Sequence, residues 1–190
     1  MFNLPNLVTW LRIVMIPLIV GVFYLPDAWL SPAGKNVAAT VIFIFAAITD
    51  WLDGYLARRL NQMSAFGAFL DPVADKLMVA GALLVLLQLD RLEVAVALII
   101  IGREIAISAL REWMAKIGQA KSVAVAFVGK IKTASQMIAI PMLLYHDDLL
   151  GVLNCQWLGT ILINVAAVLT VISMLYYLRK ALPHAAAAEL

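Results

Sequence analysis

Long apolar runs separated by short polar segments make up most of this 190-residue chain. Each run is roughly twenty residues long, which as a helix matches the ~30 Å hydrocarbon core of a bilayer. The pattern predicts membrane-spanning helices at about residues 6–25, 36–58, 66–88, 93–112, 122–145 and 157–178. Because no linker or soluble segment separates the runs, we expect a single domain over residues 1–182 and a short tail over residues 183–190.

The composition of the chain excludes a soluble fold. Hydrophobic residues make up 64% and charged residues 14% of the chain, and the mean hydropathy is +0.96. Ordinary soluble domains carry about a quarter charged residues. The expected fold class is therefore an all-α integral membrane protein, a bundle of six transmembrane helices. We expect membrane lipid as its surroundings and no nucleic-acid partner.

Basic residues are concentrated in alternate loops. If Met1 is cytoplasmic, the inside segments and their edges hold Arg58, Arg59, Arg111, Lys116, Lys121, Arg179 and Lys180. The opposite side holds only Lys35 and Arg91. By the positive-inside rule, both termini are expected in the cytoplasm. The start of the chain resembles neither a cleavable signal peptide nor an organelle presequence, which favours a bacterial inner membrane. The only cysteine, Cys155, excludes an intramolecular disulfide.

Four aspartates interrupt the apolar runs: Asp50, Asp53, Asp71 and Asp75. A carboxylate at bilayer depth costs roughly 2.5–3.5 kcal/mol on insertion scales, so four of them require a partner. Ideal helix geometry places each pair on one face of its helix. If the two helices are antiparallel, both pairs lie roughly 8–15 Å from the polar turn that joins them. We therefore expect the acids to converge on one polar cavity that opens to the cytoplasm.

Oxygen-only ligands favour Mg²⁺, Mn²⁺ or Ca²⁺ over zinc. Four facing acids suit two ions about 3.5–4 Å apart, an arrangement that clamps phosphoryl groups. Gly54, Ala57 and Gly67 share the acidic faces, where they allow either close helix packing or a ligand lying against the backbone. Pro72 is expected to disrupt its helix locally and to free the carbonyl of Ala68.

The spacing of these residues resembles the signature of the CDP-alcohol phosphatidyltransferase family. The pattern is D-x-x-D-G-x-x-A-R, eight residues, then G-x-x-x-D-x-x-x-D, and every signature position from Asp50 to Asp75 is filled. Similarity extends to residues 6–12, 69–76 and 103–112, and to the Gly-Lys-Ile-Lys-Thr segment at 129–133. The resemblance implies a usually dimeric enzyme with six spans that transfers the phosphatidyl group of CDP-diacylglycerol to an alcohol.

The resemblance also implies a role for each matching residue. The four aspartates would hold two divalent ions, Mg²⁺ or Mn²⁺, on the pyrophosphate of CDP-diacylglycerol. Asp75 would in addition accept the proton of the incoming alcohol. The nucleotide (CDP) site would be lined by Gly54, Ala57, Arg58 and Gly67. On the first helix, Asn6, Thr9 and Arg12 lie on one side and could either cap the helix or reach the nucleotide.

An anionic alcohol needs cationic groups near the metal site. The candidates at cytoplasmic depth are Arg103, Arg111, Lys130 and Lys132. The two arginines can share a helix face, whereas the lysines lie about 200° apart, so only one is expected to face the cavity. The alternative is an ion pair with Glu104 plus lysines that snorkel to the membrane surface.

The basic group favours a phosphorylated acceptor over serine, and the family resemblance from Arg103 to Lys132 favours glycerol 3-phosphate over inositol phosphate. Alternatives within the family are serine, inositol phosphate and phosphatidylglycerol. An intramembrane prenyltransferase is a second enzyme class, but its two acidic motifs usually lie on separate helix pairs. A divalent-cation transporter would also explain the acids, but it gives no reason for the glycines, alanine and arginine of the signature.

Overall fold

The computed structural model describes residues 4–60, 65–119 and 127–188. Within these ranges the chain is almost entirely helical, as the sequence predicts. The helices are α1 (Leu4–Val22), α2 (Pro32–Leu60), α3 (Ala65–Gln88), α4 (Val94–Lys116), α5 (Phe127–Tyr145) and α6 (Cys155–Ala188). A small antiparallel hairpin of β1 (Asp148–Leu149) and β2 (Leu153–Asn154) joins α5 to α6.

Several helices are longer than the apolar runs that predict them. Helix α2 has 29 residues and α6 has 34, so both continue into polar sequence. At the C-terminal end, α6 extends to Ala188 through Pro183 and includes most of the segment expected as a tail. Hydrophobic periodicity marks the part of a helix that is apolar, not the point at which its hydrogen bonds stop.

Helix α3 continues without interruption through Pro72, so the predicted local disruption of the helix is wrong, although proline has no N–H to donate to the carbonyl of Ala68. A proline removes one backbone hydrogen bond and costs roughly 3 kcal/mol. Packing on both sides of Pro72 offsets this cost, because Leu70, Ala74 and Met78 of the same helix are buried. Helices α1 and α5 likewise contain an internal proline.

Helix α1 lies against both of the helices that carry the acids. Helices α2 and α3 each pack more extensively on α1 than on one another. Helix α5 packs mainly on α6 and also on α2, while α4 packs mainly on α6. The main core is formed by side chains that include Ile19, Phe43, Leu83, Ile140 and Ile163.

The outer surface is apolar over much of its area. Exposed side chains include Val41, Ile48, Leu98 and Val168. Among the described residues, the segments Pro32–Asp50 and Cys155–Pro183 are long and apolar enough to cross a membrane. Apolar patches of this extent are rare on soluble monomers and are typical of surfaces that contact lipid.

The end of the bundle away from the aspartates is held by Arg91, in the turn between α3 and α4. Its Nη1 donates to the carbonyls of Leu144 at 2.8 Å and Leu143 at 3.2 Å, near the end of α5. Its Nη2 donates to Oδ1 of Asn36 at 2.9 Å, near the start of α2. The last carbonyls of a helix lack partners within the helix, so this arginine both caps α5 and ties it to α2.

Candidate active site

Helix α1 supplies hydrogen-bond donors to the acids of α2 and α3. Thr9 Oγ1 donates to Asp71 Oδ1 at 2.5 Å. One turn further along, Arg12 Nη1 lies 2.8 Å from Asp50 Oδ1 and 2.7 Å from Asp75 Oδ1. Thr9 and Arg12 are both buried. Two polar residues of one helix face thus contact three of the signature aspartates.

These contacts measure how closely the acids approach. Because the Oδ1 atoms of Asp50 and Asp75 both contact one nitrogen, they lie at most about 5.5 Å apart. Both side chains remain partly exposed, at 37% and 45%. The structure therefore brings acids from two helices together, as the sequence predicts, and leaves them accessible from one side.

Some predicted site residues fall outside the part of the structure that can be described. The side chains of Asn6, Asp53, Gly54, Ala57 and Arg58 belong to this group. Gly67, the remaining residue of the predicted nucleotide site, is buried near the start of α3. The nucleotide-site assignment stays a prediction for all of them.

The accessible side of the acids faces a cleft of about 240 Å³. Its lining combines acids, cations and polar groups of α2, α3, α4 and α5. The lining residues are Asp50, Pro72, Asp75, Lys76, Met78, Val79, Glu104, Lys132, Thr133, Gln136 and Met137. A cleft that carries both signs of charge suits a ligand with phosphate groups and bound cations.

Lys132 is the member of the predicted basic group that faces this cleft. It is buried, and its Nζ forms an ion pair with Glu104 Oε1. Lys130, by contrast, is exposed on the opposite side of α5 and is not part of the lining. The 200° separation expected between the two lysines on an ideal helix explains this difference.

Arg103 and Arg111 lie behind the cleft, between α4 and α6. The buried Arg103 donates to Ser173 Oγ at 3.2 Å and approaches Glu104 Oε1 at 3.3 Å. The guanidinium carbons of Arg103 and Arg111 lie 5.9 and 5.4 Å from the ring centre of Tyr177, so the arginines do share a face. That face packs on α6, and neither arginine lines the cleft. Phosphate binding by this pair stays a prediction.

Glu104 is a site residue that the sequence prediction did not assign. It is the acid that links Arg103 to Lys132, and it lines the cleft. The sequence does indicate Glu104 as a candidate, because a glutamate within an apolar run needs a partner as much as an aspartate does. Lys76, also in the lining, follows Asp75 directly in the sequence.

The acids fit a divalent cation in donor type and in proximity. Their ligands are carboxylate oxygens, which hard cations prefer. Among the side chains that the structure describes, no three acidic, histidine or cysteine residues form a complete metal-binding group. The fourth signature aspartate, Asp53, is not among those side chains.

Two apolar hollows continue from the cleft along the boundary between α2 and α5. The nearer has a volume of about 280 Å³ and is lined by Phe43, Ile44, Ala47, Ile48 and Met137. The farther, of about 470 Å³, runs past Val41 and Ile138 to Tyr145. Met137 lines the cleft and both hollows, so this apolar groove of two hollows adjoins the cleft.

Comparison with known proteins agrees with the resemblance seen in the signature. The sequence profile of the CDP-alcohol phosphatidyltransferase family matches residues 2–173. Similar relatives are the proteins named CDP-diacylglycerol–glycerol-3-phosphate 3-phosphatidyltransferase from Escherichia coli (strain K12), 50% identical, and Salmonella choleraesuis, 48% identical. Each alignment covers 95% of this chain and 95% of the relative. The chain therefore belongs to the CDP-alcohol phosphatidyltransferase family.

Proposed function

We propose that this protein transfers the phosphatidyl group of CDP-diacylglycerol to sn-glycerol 3-phosphate, giving phosphatidylglycerophosphate and CMP. Identity of 50% along 95% of both chains to relatives named for this reaction carries the proposal. The cleft supports it, because its lining includes both the acids Asp50 and Asp75 and the cations Lys76 and Lys132. Charged groups of both signs suit a substrate that carries phosphate groups together with divalent cations.

Two divalent ions, Mg²⁺ or Mn²⁺, would be held by the four signature aspartates. When bound, such ions neutralise charge on the pyrophosphate and stabilise the departing phosphate of CMP. The proximity of Asp50 and Asp75 supports this assignment, since carboxylates at that separation could hold divalent cations between them. The protein itself contributes little covalent chemistry to such a transfer, which depends on positioning and charge.

The transfer forms one bond to phosphorus and breaks another. A hydroxyl oxygen of glycerol 3-phosphate attacks the phosphorus that carries diacylglycerol, and the bond from that phosphorus to the CMP oxygen breaks. We assign the hydroxyl proton to the carboxylate of Asp75, which then returns it to water. Asp75 suits this role because its side chain is 45% exposed and lines the cleft.

The phosphate of the acceptor is best placed near Lys132. This lysine lines the cleft and is oriented by its ion pair with Glu104. Lys76 adds a second positive charge beside Asp75. A phosphorylated acceptor, which carries a larger negative charge, gains more from these cations than zwitterionic serine does. Glycerol 3-phosphate is favoured over inositol phosphate by the names of the relatives.

The groove between α2 and α5 suits an acyl chain of the lipid substrate. It is apolar, and it begins at the cleft where the phosphate groups react. Ala47→Trp fills the nearer hollow and is expected to lower turnover of long-chain CDP-diacylglycerol much more than turnover of a short-chain form. Equal losses with both substrates would argue against this placement.

The six helices are proposed to span a bacterial inner membrane, with both termini in the cytoplasm and the cleft open to that side. The distribution of basic residues supports this orientation. A homodimer is proposed from the family resemblance. If light scattering of the detergent-solubilised protein gives the mass of one chain, the result would argue against the dimer.

The test of the proposed function is CMP release from CDP-diacylglycerol by the purified protein. Glycerol 3-phosphate, serine, inositol phosphate and phosphatidylglycerol are supplied separately, with Mg²⁺ and then with EDTA. We expect release only with glycerol 3-phosphate and complete loss in EDTA. Release with a different acceptor would overturn the acceptor but keep the reaction class. Metal flux without CMP release would favour a cation transporter instead.

A further inference from the structure

A buried cation lies behind the acids, on the side away from the cleft. Arg12 has an exposed fraction of 0% and is not part of the cleft lining, although Asp50 and Asp75 both are. Each of these carboxylates has two oxygens. Through its Oδ1 atom each contacts Nη1 of Arg12, while the side chain as a whole remains partly exposed. An ion that enters from the cleft therefore meets carboxylates already held from behind.

We propose that Arg12 is a positioning residue that limits the affinity of the acidic site for divalent cations. It acts through Asp50 and Asp75 without touching substrate. The inference rests on the proposed metal site. It differs from the expectation that Arg12 reaches the nucleotide, because its guanidinium is directed to the acids and lies away from the cleft.

Two opposing effects determine whether Arg12 raises or lowers the affinity of the site for divalent cations. Arg12 orients both carboxylates, and losing an orienting partner typically weakens metal binding by about 10–100-fold. It also places a unit positive charge within a few ångströms of the site of a doubly charged ion. At the effective dielectric of protein interiors, that repulsion corresponds to more than about a thousandfold in affinity. The charge effect is the larger, so removing the charge is expected to tighten cation binding.

The same contacts make Arg12 important when no cation is bound. Three helices meet at this residue, because it lies on α1 and contacts acids of α2 and α3. Without its charge, the acids repel one another. Removing the buried arginine is destabilising, because it leaves two partly buried carboxylates close together without compensation. The metal-free protein is therefore expected to melt at a clearly lower temperature.

The test compares Mn²⁺ affinity, followed by electron paramagnetic resonance, with melting temperature in EDTA. The full chain is used in nanodiscs, with variants Arg12→Gln and Arg12→Lys. Arg91→Gln is the matched control, because it removes another partly buried arginine at the far end of the bundle. We expect Arg12→Gln to bind Mn²⁺ at least about tenfold tighter and to melt lower in EDTA. Arg12→Lys keeps the charge and should stay within about threefold of the wild type.

Arg91→Gln should lower the melting temperature and leave the Mn²⁺ affinity unchanged. The inference is overturned by equal or weaker Mn²⁺ binding in Arg12→Gln, or by an equal gain in Arg91→Gln. If Arg12→Gln does not fold, the same comparison is made between Asp50→Asn and the double variant Asp50→Asn/Arg12→Gln. There the double variant should bind Mn²⁺ more tightly, and the opposite result overturns the inference. A wild type that binds no Mn²⁺ would instead refute the metal site itself.

Discussion

Three of the signature aspartates differ in what surrounds them. Asp71 accepts a hydrogen bond from a neutral hydroxyl, Thr9 Oγ1, whereas Asp50 and Asp75 share the guanidinium of Arg12. Asp71 and Asp75 lie one turn apart on α3, and Asp50 lies on α2. Their neighbours are donors, as expected for acidic side chains that need a partner at bilayer depth.

The proposed metal and base roles make the acids sensitive to loss of charge. Asp71→Asn and Asp75→Asn are each expected to reduce CMP release by at least about 100-fold, because charge compensation or proton transfer is lost. Both variants keep the size of the side chain and should remain folded. Asp147→Asn, on an exposed acid at the opposite end, is the control. Near-normal rates in either cleft variant would contradict the two-ion assignment.

The surroundings of His146, just after α5, predict that the stability of the protein depends mildly on pH in the acidic range. Burial first and the nearby Arg91 second lower the pKa of His146, which outweighs the opposing effect of Asp147. The unfolded chain therefore binds a proton at about pH 6.5, while the folded protein does not until the pH is lower. Stability should be maintained above that pH and should decline as the pH falls below it.

The variant His146→Asn should lose part of this acid sensitivity. Asparagine is suitable because residue 146 has a φ of 69°, which asparagine tolerates. The measurement is the difference in melting temperature between pH 8 and pH 5.5. An identical difference in the wild type and the variant would exclude a contribution from His146.

The sequence predicts much of the site at this scale, but not its orientation. Charged residues within the apolar runs that predict membrane spans identify the acids and the basic group. It does not tell Lys132, which faces the cleft, from Lys130, which does not. Nor does it reveal that Arg103 and Arg111 face Tyr177. These distinctions depend on which helix is the neighbour, and a single helix does not encode that.

At the scale of elements, the existence of all six described helices follows from the apolar runs, whereas the short hairpin of β1 and β2 does not. The arrangement is only partly predictable. The sequence places the acidic helices antiparallel with their acids at one depth, but it does not predict that, among the described residues, α2 and α3 each pack more on α1 than on one another. Periodicity identifies which face of α1 is polar, yet the partner of that face is fixed by tertiary packing. The contacts of Thr9 with Asp71 and of Arg12 with Asp50 show that this face packs on α3 and α2.

The boundary between α5 and α6 offers a direct test of packing. A Cβ atom at Gly159 would lie 2.9 Å from Leu143 Cγ and 3.3 Å from the carbonyl oxygen of Ala139. We therefore expect Gly159→Ala to destabilise the protein by roughly 1–3 kcal/mol, because the helices must move apart. The measurement is the melting temperature in detergent.

Gly102 on α4 provides the matched control. A Cβ there would meet no heavy atom within 4 Å. Gly102→Ala should leave the melting temperature unchanged or raise it slightly, because alanine favours the helix by up to about 1 kcal/mol. Equal losses in the two variants would contradict the close approach of α5 and α6.

At the scale of the whole molecule, the two ends of the bundle have different characters. One end holds the acids and the cleft. The other holds the hairpin of β1 and β2 and the cap formed by Arg91. An orientation with the acidic end in the cytoplasm predicts which loops a membrane-impermeant thiol reagent reaches.

The test uses single cysteines in a chain where Cys155, which is buried, has been replaced by serine. Leu150→Cys, at a position 91% exposed in the hairpin, should be labelled in intact bacterial cells. Gln119→Cys, after α4, should be labelled only when the membrane is opened. Labelling with the reverse pattern would invert the proposed topology.

The contact between Arg12 and Asp75 has a consequence for synthesis of the chain. The two residues are 63 positions apart, so at roughly 5–20 residues per second the arginine leaves the ribosome about 3–13 s before its second partner. An unpaired arginine at the centre of a span is costly to insert. The first hydrophobic segment should therefore settle in the bilayer only with the helices that bring Asp50 and Asp75. Chains truncated at residue 30, which lack both acids, should leave that segment more accessible to protease than chains truncated at residue 90.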